Sequence, residues 1–168
     1  MTLLIFAFAL LVLLLLIRVL IPLGLLLFIP SHQTSVHAVV FLANVRLGEK
    51  TVDLGAGDGR VVIAFAQKGA EAHGFEINPF LVLKARRAIR RAGMNGKAFI
   101  HWGNFFYHDL SSYDVITIFI SPMVMKLLEK KLKRELKKDG KIISLRFPFP
   151  HWSCTDQKGE QYLYTKNQ

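Results

Sequence analysis

The sequence predicts an α/β fold, in which a mostly parallel sheet is covered by helices and follows one long apolar segment at the N-terminus. Three observations lead to this prediction. Short apolar runs typical of buried strands alternate with amphipathic runs typical of helices from about residue 36 to residue 165. The first of these strands ends in a glycine-rich turn, which is typical of a ligand site at the carboxyl edge of a parallel sheet. Residues 2–28 are apolar except for Arg18.

The apolar N-terminal segment comes first, and its length decides how we interpret it. Residues 2–28 exceed the roughly 20 residues that a helix needs to span a bilayer. A cleavable secretory signal would carry a basic start, a shorter apolar stretch and a small-residue cleavage site, and this segment has none of them. We therefore expect residues 1–30 to form an uncleaved transmembrane anchor, with a buried core helix as the alternative. Arg18 would lie either at the cytoplasmic interface or within one long tilted helix.

The part of the chain after the anchor is short and strongly basic. Residues 31–168 are enough for one small domain with a minimal core. The chain has 22 Lys and Arg against 12 Asp and Glu, a formal net charge of +10, and almost all basic residues lie after the anchor. The positive-inside rule then predicts a single-pass membrane protein whose domain lies on the cytoplasmic or organellar matrix side. Its basic helices would meet anionic headgroups of the lipid bilayer, with a solvated surface or a nucleic acid as alternatives.

Cysteine and histidine usage argues against a metal site. Cys154 is the single cysteine, so an internal disulfide is excluded. The six histidines show no spacing typical of zinc ligands. We therefore expect no metal, and we interpret each histidine as a surface or packing residue.

The elements of the first half are set by apolar runs and their end signals. A lead-in helix is predicted over residues 36–45, a buried strand over 50–54, and an apolar helix over 60–68 that Gly69 ends. A short strand over 71–75 comes next.

The turn after the first strand is the strongest candidate for a ligand site. Gly55, Gly57 and Gly59 alternate where any Cβ would keep a ligand away from the backbone. This G-x-G-x-G spacing differs from the dinucleotide fingerprint G-x-G-x-x-G. Asp53 and Asp58 place carboxylates on both sides, which favours a cationic ligand such as the sulfonium S-adenosylmethionine over a diphosphate. The alternative is a plain tight turn with Asp58 as helix N-cap.

The second strand and the helix after it strengthen the ligand interpretation. Glu76 ends that strand a little over twenty positions past Asp53, where an acid can accept both hydroxyls of a ribose. Asn78 and Pro79 supply an N-cap and a first-turn proline for a helix over 79–92, and Gly93 a stop. Together these signals favour a nucleoside site over a plain turn.

The second half repeats the alternation. Strands are predicted over residues 98–101, 113–120, 141–146 and 161–165, and an amphipathic helix over 124–136. Asn104 comes after the third strand, where its amide could bond an adenine edge; an ordinary loop asparagine is the alternative.

Residues 146–152, which we call the aromatic segment, come directly after the fifth strand. The two prolines of this segment hold the backbone extended. Phe147, Phe149 and Trp152 would then form a rigid apolar wall for a methyl acceptor, with His151 near its mouth. The alternative is that these aromatic rings only close a small core.

These motifs together resemble the class I, seven-strand S-adenosylmethionine-dependent methyltransferases. The resemblance is carried by DLGAGDGR at 53–60 and GFEINP at 74–79. NPFLV at 78–82, FISPMVMKLLEKKL at 119–132 and RFPFPHW at 146–152 narrow it further. With the apolar N-terminus, they resemble the membrane-associated protein-lysine methyltransferases that in mitochondria modify the ATP synthase c subunit and the adenine nucleotide translocase.

The resemblance implies a Rossmann-like sheet with a minimal C-terminal hairpin, S-adenosyl-L-methionine as cofactor, and a lysine of a membrane protein as methyl acceptor. We expect the cofactor to contact Asp53, Gly55, Ala56, Gly57, Gly59, Glu76 and Asn104. We expect the acceptor slot to include Ser121, Pro122, Phe147, Phe149, His151 and Trp152. No general base is assigned, because an apolar slot lowers the pKa of a lysine amine by desolvation.

Two departures and three alternatives accompany this prediction. Asn104 stands where the family usually has Asp, and Ser121-Pro122 where it usually has a hydrophobic residue and Pro. A lipid or small-molecule methyltransferase would share every cofactor residue, and a non-catalytic cofactor-binding membrane scaffold would too. A nucleic-acid methyltransferase is disfavoured because the fourth strand ends in Ile-Ser-Pro-Met rather than N-P-P-aromatic. We expect a monomer.

Overall fold

A seven-stranded sheet organises the computed structural model, which describes residues 2–20 and 33–166 of the chain. The strands are β1 (Lys50–Leu54), β2 (Glu71–Glu76), β3 (Ala98–Trp102), β4 (Val115–Ile118), β5 (Lys141–Ser144), β6 (Asp156–Lys158) and β7 (Gln161–Thr165). Their order across the sheet is β3-β2-β1-β4-β5-β7-β6. The first five strands pair in parallel, whereas β7 pairs antiparallel with both β5 and β6. The predicted α/β fold, with its mostly parallel sheet and small C-terminal hairpin, is confirmed.

The described helices cover the two faces of the sheet unequally. They are α1 (Thr2–Leu20), α2 (Gln33–Ala43), α3 (Arg60–Gln67), α4 (Pro79–Arg91) and α5 (Pro122–Glu135), with a 3₁₀ helix at Phe105–Tyr107. Buried residues of α2, α3 and α4 share one apolar cluster, and buried residues of α5 belong to a second one. Since successive strand residues point to opposite faces, Val115 of β4 packs in the first cluster and Ile116 in the second.

The predicted helix over 124–136 is confirmed, but its buried face is not wholly apolar. Leu128 and Leu132 are fully buried, as their four-residue spacing predicts. Glu129, which the spacing does not mark, is buried beside them. A charged residue in this position needs a specific set of partners, and the aromatic segment supplies one of them.

The sequence patterns predicted no residue range for two elements. Strand β6 consists of Asp156, Gln157 and Lys158, which are all exposed, so it carries no hydrophobic period that could reveal it. The 3₁₀ helix has three residues, none of them buried. The predicted fourth strand covers residues 113–120, but β4 ends at Ile118 because the chain leaves the sheet there to begin α5.

The predicted transmembrane helix over residues 1–30 is not found. Helix α1 has 19 residues, which at about 1.5 Å per residue span about 28 Å, slightly less than the roughly 30 Å of a bilayer core. Within residues 2–20 and 33–166, none of the helices combines the length and the apolar character that crossing a membrane requires. The side chains of residues 5–16 are exposed. Residues 21–30, the rest of the predicted anchor, lie outside the described residues, and the predicted domain boundary near residue 30 stays a prediction.

Gly74, in the middle of β2, lets the turn after β1 and helix α3 lie close to the sheet. A Cβ at this position would lie 2.6 Å from Cβ of Ala56, 2.9 Å from Cγ2 of Val62 and 3.0 Å from Cδ1 of Ile100. Three elements therefore meet where only a hydrogen atom fits. The close contact fixes the height of Ala56 above the carboxyl end of β2.

We expect Gly74→Ala to lower the free energy of unfolding by about 1–3 kcal/mol through overpacking, and to weaken S-adenosylmethionine binding because Ala56 must move. Gly93→Ala is the matched control, since its new Cβ would meet nothing within 4 Å and adds only left-handed backbone strain, roughly 1 kcal/mol. Denaturant unfolding and calorimetric titration measure the two effects. Unchanged ligand binding in Gly74→Ala would contradict the coupling between Gly74 and the turn.

Candidate functional site

The glycine loop, residues 55–59, joins β1 to α3 at the carboxyl edge of the sheet. Gly55, Gly57 and Gly59 have φ values of +83°, +56° and +81°, in the region that side chains disfavour. The N–H groups of Gly55 and Ala56 both donate to the carbonyl oxygen of Phe75, each at 2.9 Å. The loop is thus fastened to β2, and Gly55 remains exposed to a ligand.

Glu76 is the second point at which β2 holds the loop. Its buried carboxylate accepts the N–H of Gly57 on Oε2 and the N–H of Asn78 on Oε1, both at 2.8 Å. Each carboxylate oxygen can accept more than one hydrogen bond, so capacity remains for the hydroxyls of a ribose. Asn78 caps α4 as predicted, with its side-chain oxygen accepting the N–H of Phe80 at 2.9 Å.

Asp53 is buried one strand away from Glu76, and Thr117 is the side-chain partner of its carboxyl group. The hydroxyl of Thr117 donates to Oδ1 of Asp53 at 2.7 Å. Burial raises the pKa of Asp53 to about 7, the Thr117 hydrogen bond opposes that rise, and the charges of Glu76 and Asp58 add to it. The protein therefore holds a carboxyl group whose ionised form is costly without a cation nearby.

Thr117 is a site residue that the sequence patterns did not mark. It lies directly opposite Asp53 in the β1–β4 pairing. The available signal was one hydroxyl residue inside the otherwise apolar run of the fourth strand. In an open α/β sheet that strand pairs with the first, which places the hydroxyl beside the acid.

Asp58 has a different role from the predicted one. Its carboxylate accepts two hydrogen bonds from the guanidinium of Arg60, at 2.8 and 2.7 Å, and lies 3.7 Å from Nζ of Lys84. These cations lower the pKa of Asp58 despite its partial burial. Asp58 is not the helix N-cap either, since Gly59 holds that position without a side-chain cap. Among the described residues, the acids that offer buried carboxylates beside the loop are therefore Asp53 and Glu76.

Asn104 lies after β3, where it caps the 3₁₀ helix. Its side-chain oxygen accepts the N–H of Phe106 at 3.0 Å, which is the turn role of the alternative interpretation. In the described part of the chain its side-chain nitrogen has no hydrogen-bond partner, which leaves it for an adenine. Trp102 and Ile77, both exposed, flank this position, and the indole N–H of Trp102 donates to the carbonyl oxygen of Ile77 at 3.0 Å.

Three predicted acceptor-slot residues follow the carboxyl ends of β4 and β5. Ser121 and Pro122 begin α5 and are exposed. Phe147 comes after β5 and is half-buried, and the hydroxyl of Ser144 donates to its carbonyl oxygen at 2.6 Å. Because β4 and β5 are parallel neighbours, these residues lie at the same edge as the glycine loop.

The rest of the predicted aromatic wall belongs to the core. Phe149 is buried, and its ring packs against Trp152 and Tyr164 with centroids 5.7 and 4.8 Å away. The N–H of Phe149 donates to the hydroxyl of Tyr164 at 2.9 Å. His151 is exposed. Phe149 and Trp152 thus match the alternative interpretation, because Tyr164 of β7 offers them a covered apolar surface.

Glu129 holds the aromatic segment on α5. Its buried carboxylate lies 2.6 Å from Nζ of Lys133 and accepts the backbone N–H of His151 at 3.1 Å. Lys133 also donates to the carbonyl oxygen of His151 at 2.6 Å and lies over the ring of Trp152. The segment is therefore fixed by an ion pair whose carboxylate is buried, and not by its prolines alone.

Comparison with known proteins places these features in a family. A family model described as the ANTKMT methyltransferase domain matches residues 53–156. The chain is 42% identical over 133 residues to the human lysine N-methyltransferase named for the ATP synthase c subunit, with 79% of this chain and 57% of the relative covered. It is 37% identical over 134 residues to mouse adenine nucleotide translocase lysine N-methyltransferase, with 79% and 58% covered. The chain therefore spans a little over half the length of these relatives.

Solved structures agree on the fold. An RNA methyltransferase from Salinibacter ruber in complex with S-adenosyl-L-homocysteine superposes with a TM-score of 0.77 at 32% identity, with 82% of this chain and 94% of that chain covered. A SAM-dependent methyltransferase from Thiobacillus denitrificans, also in complex with S-adenosyl-L-homocysteine, has a TM-score of 0.61 at 16% identity, with 76% of this chain and 54% of that chain covered. The second likeness concerns the fold alone.

The raised pKa of Asp53 makes ligand binding depend on pH. A cationic ligand favours the ionised carboxylate, so S-adenosylmethionine affinity should rise with pH and level off near pH 7, with a slope approaching tenfold per unit below it. Thr117→Val should move the midpoint upward, since the hydroxyl lowers this pKa. Asp53→Asn should remove the dependence. Calorimetric titrations across this range measure all three proteins, and a flat wild-type profile would contradict the assignment.

In the protein without ligand, Asp53 makes the free energy of unfolding fall as the pH rises, whereas ligand affinity rises with pH. The folded state binds more protons than the unfolded state between pH 3.8, the unperturbed value, and about 7. The contribution of Asp53 to the free energy of unfolding is therefore lost as the pH rises through that window.

We expect Glu129→Gln to destabilise the protein by about 1–3 kcal/mol, because Lys133 loses its buried counter-charge, and to loosen the aromatic segment. Glu135→Gln is the matched control. Glu135 pairs with Lys131 on the same helix, but it accepts the N–H of Leu110 and does not contact the aromatic segment through the N–H of His151. Hydrogen exchange at the amides of Phe149 and His151 distinguishes them. Equal exchange in the two variants would refute the role given to Glu129.

Proposed function

Because the chain belongs to the family described as the ANTKMT methyltransferase domain, we propose that it transfers methyl groups from S-adenosyl-L-methionine to a lysine amine. The observation that carries the proposal is the pair of buried carboxylates, Asp53 and Glu76, on either side of a glycine loop whose first residue, Gly55, is exposed. The three glycines of the loop lack Cβ atoms and let a nucleoside approach the backbone closely, and two acids suit the hydroxyls and the positive charges of the ligand. The relatives named as lysine methyltransferases support the acceptor.

The residues of the chain then divide the work of binding. Glu76 accepts the ribose hydroxyls while its other contacts hold the glycine loop still. Asp53 faces the positively charged amino acid part, where a cation restores the ionised state that burial disfavours. The side-chain nitrogen of Asn104 donates to the adenine. Fixing both reactants in line provides most of the rate enhancement, since orientation replaces an encounter in solution.

The acceptor enters beside Ser121, Pro122 and Phe147, at the carboxyl edge of β4 and β5. The bound cofactor supplies a methyl group on a positively charged sulfur, which leaves as a neutral thioether. A neutral lysine amine forms the new N–C bond, and the product ammonium then loses a proton to water. The half-buried ring of Phe147 favours the neutral amine by desolvation, so no side chain is assigned as a general base.

We further propose that the acceptor lysine belongs to a membrane protein, and that α1 attaches the domain to the bilayer on its cytoplasmic or organellar matrix side. The substrates named for the relatives, the ATP synthase c subunit and the adenine nucleotide translocase, support the first part. Exposed apolar side chains along residues 5–16 and the net charge of +10 support the second.

An RNA acceptor is the second candidate. The Salinibacter ruber protein, 32% identical and covered over 94% of its length, is named as an RNA methyltransferase. A strongly basic chain also suits a polyanion. The greater identity to lysine methyltransferases places this candidate second.

One labelling experiment tests the function. The full chain is incubated with native membranes, total RNA and S-adenosylmethionine labelled in its methyl group, and protein, lipid and RNA are then separated. We expect label in protein, recovered as methyl-lysine after hydrolysis, and we expect Asp53→Ala to abolish it because the ligand loses its counter-charge. Label in lipid or in RNA would replace the lysine proposal, and no label in any fraction would favour a non-catalytic scaffold.

A further inference from the structure

Exposed apolar side chains gather at the edge of the sheet where the site opens. Phe80, Trp102, Tyr107 and Met123 are exposed to 67%, 67%, 87% and 92%, and Leu127 is exposed one turn beyond Met123. We call these five residues the rim. Isolated apolar residues are normal on a protein surface, but a set that surrounds one site indicates an interaction surface.

The topology explains why the rim residues share one edge. The carboxyl ends of β2, β3 and β4 meet there because these strands belong to the parallel part of the sheet. Phe80 lies in the first turn of α4 after β2, Trp102 ends β3, and Met123 lies in the first turn of α5 after β4. Leu47 is also exposed, but it lies at the opposite, amino edge of the sheet, in the short turn before β1.

Basic side chains border the rim on the α5 side. A groove of about 510 Å³ lies between the 3₁₀ helix and α5, where Tyr107 and Leu127 meet Lys130, Lys131 and Arg134. Lys131 is paired with Glu135 at 2.8 Å. Lys130 and Arg134 have no acidic partner within residues 33–166, so their charges remain available to an anionic surface.

We propose that the rim and this basic groove dock on an anionic lipid bilayer, so that the methyl-transfer site opens toward the headgroups. Trp and Tyr favour the membrane interface because one end of each ring is apolar and the other polar. Lysine and arginine reach headgroups while their stems lie along apolar surface. Unpaired positive charge beside an amphipathic aromatic rim therefore fits a lipid surface better than an apolar protein groove.

The docking rests on the proposed function and adds to it the position of the acceptor lysine relative to the bilayer. A site that opens toward the headgroups receives amines that lie at the membrane–water boundary. Lysines of membrane proteins in that layer are accepted, and lysines of soluble proteins are not presented to the acceptor slot. Contact with the bilayer would also keep bulk water away from the mouth of the site.

The orientation is tested with one environment-sensitive fluorophore on the full chain. Cys154, the only native cysteine, is replaced by serine, and a cysteine is introduced by Tyr107→Cys or by Leu47→Cys. The two positions are matched, with 87% and 88% exposure, and differ in the edge on which they lie. Each protein is reconstituted with vesicles of phosphatidylcholine, alone or mixed with phosphatidylserine, and flotation measures attachment independently.

The proposal predicts a several-fold emission increase with a blue shift at position 107 on the mixed vesicles, and little change at position 47. Adding Lys130→Gln and Arg134→Gln should weaken docking about 30-fold, given roughly a fivefold step for each cation lost near the surface. The position 107 signal should then fall while flotation persists. Equal signals at both positions, no signal at 107, no flotation, or a signal that appears only when a membrane protein is present would each overturn the lipid surface.

Methylation and cofactor binding are measured on the same labelled proteins. Docking without lysine methylation would refute the proposed function and leave the membrane surface in place. Methylation of membrane-protein lysines without a response at position 107 would refute the membrane surface and leave the proposed function in place.

Discussion

Glu76 accepts hydrogen bonds from Gly57 and Asn78 with a carboxylate that is almost entirely buried. These two bonds join the glycine loop, the end of β2 and the start of α4 at one point. Asp53 lies one strand away, and the nearby charge of Glu76 contributes to its raised pKa. The shape and the charge of the site thus depend on one buried carboxylate and on its two backbone partners.

The two halves of the sheet are stabilised by different means. Helices α2, α3 and α4 cover one face through an apolar cluster, where Gly74 admits the glycine loop at close range. The other face has α5, and the aromatic segment completes its cover through the ion pair of Glu129 and Lys133. The glycine-loop side is therefore set by backbone packing and the aromatic-segment side by side-chain contacts. We expect acceptor specificity to change with substitutions that leave cofactor binding intact.

Sequence patterns predicted the geometry around the glycine loop better than the geometry of the aromatic segment. Strand alternation and glycine spacing are local properties, so β1, β2 and the position of Glu76 could be predicted from them. The partner of a side chain depends on strands distant in sequence: Thr117 reaches Asp53, and Tyr164 draws Phe149 into the core. The period of α5 marked its leucines, but no pattern of apolar residues could mark a buried carboxylate on the same face.

The central claim is that one carboxylate both orders the loop and binds the ribose, and calorimetric titration of S-adenosylmethionine against Glu76→Gln tests it most directly. The amide keeps the size of the side chain but presents a donor to one of the two backbone N–H groups. We predict a 10- to 100-fold loss of affinity, roughly the value of one hydrogen bond to a charged group. Glu71→Gln, exposed on the same strand, should bind as wild type does. Wild-type affinity in Glu76→Gln would contradict the account.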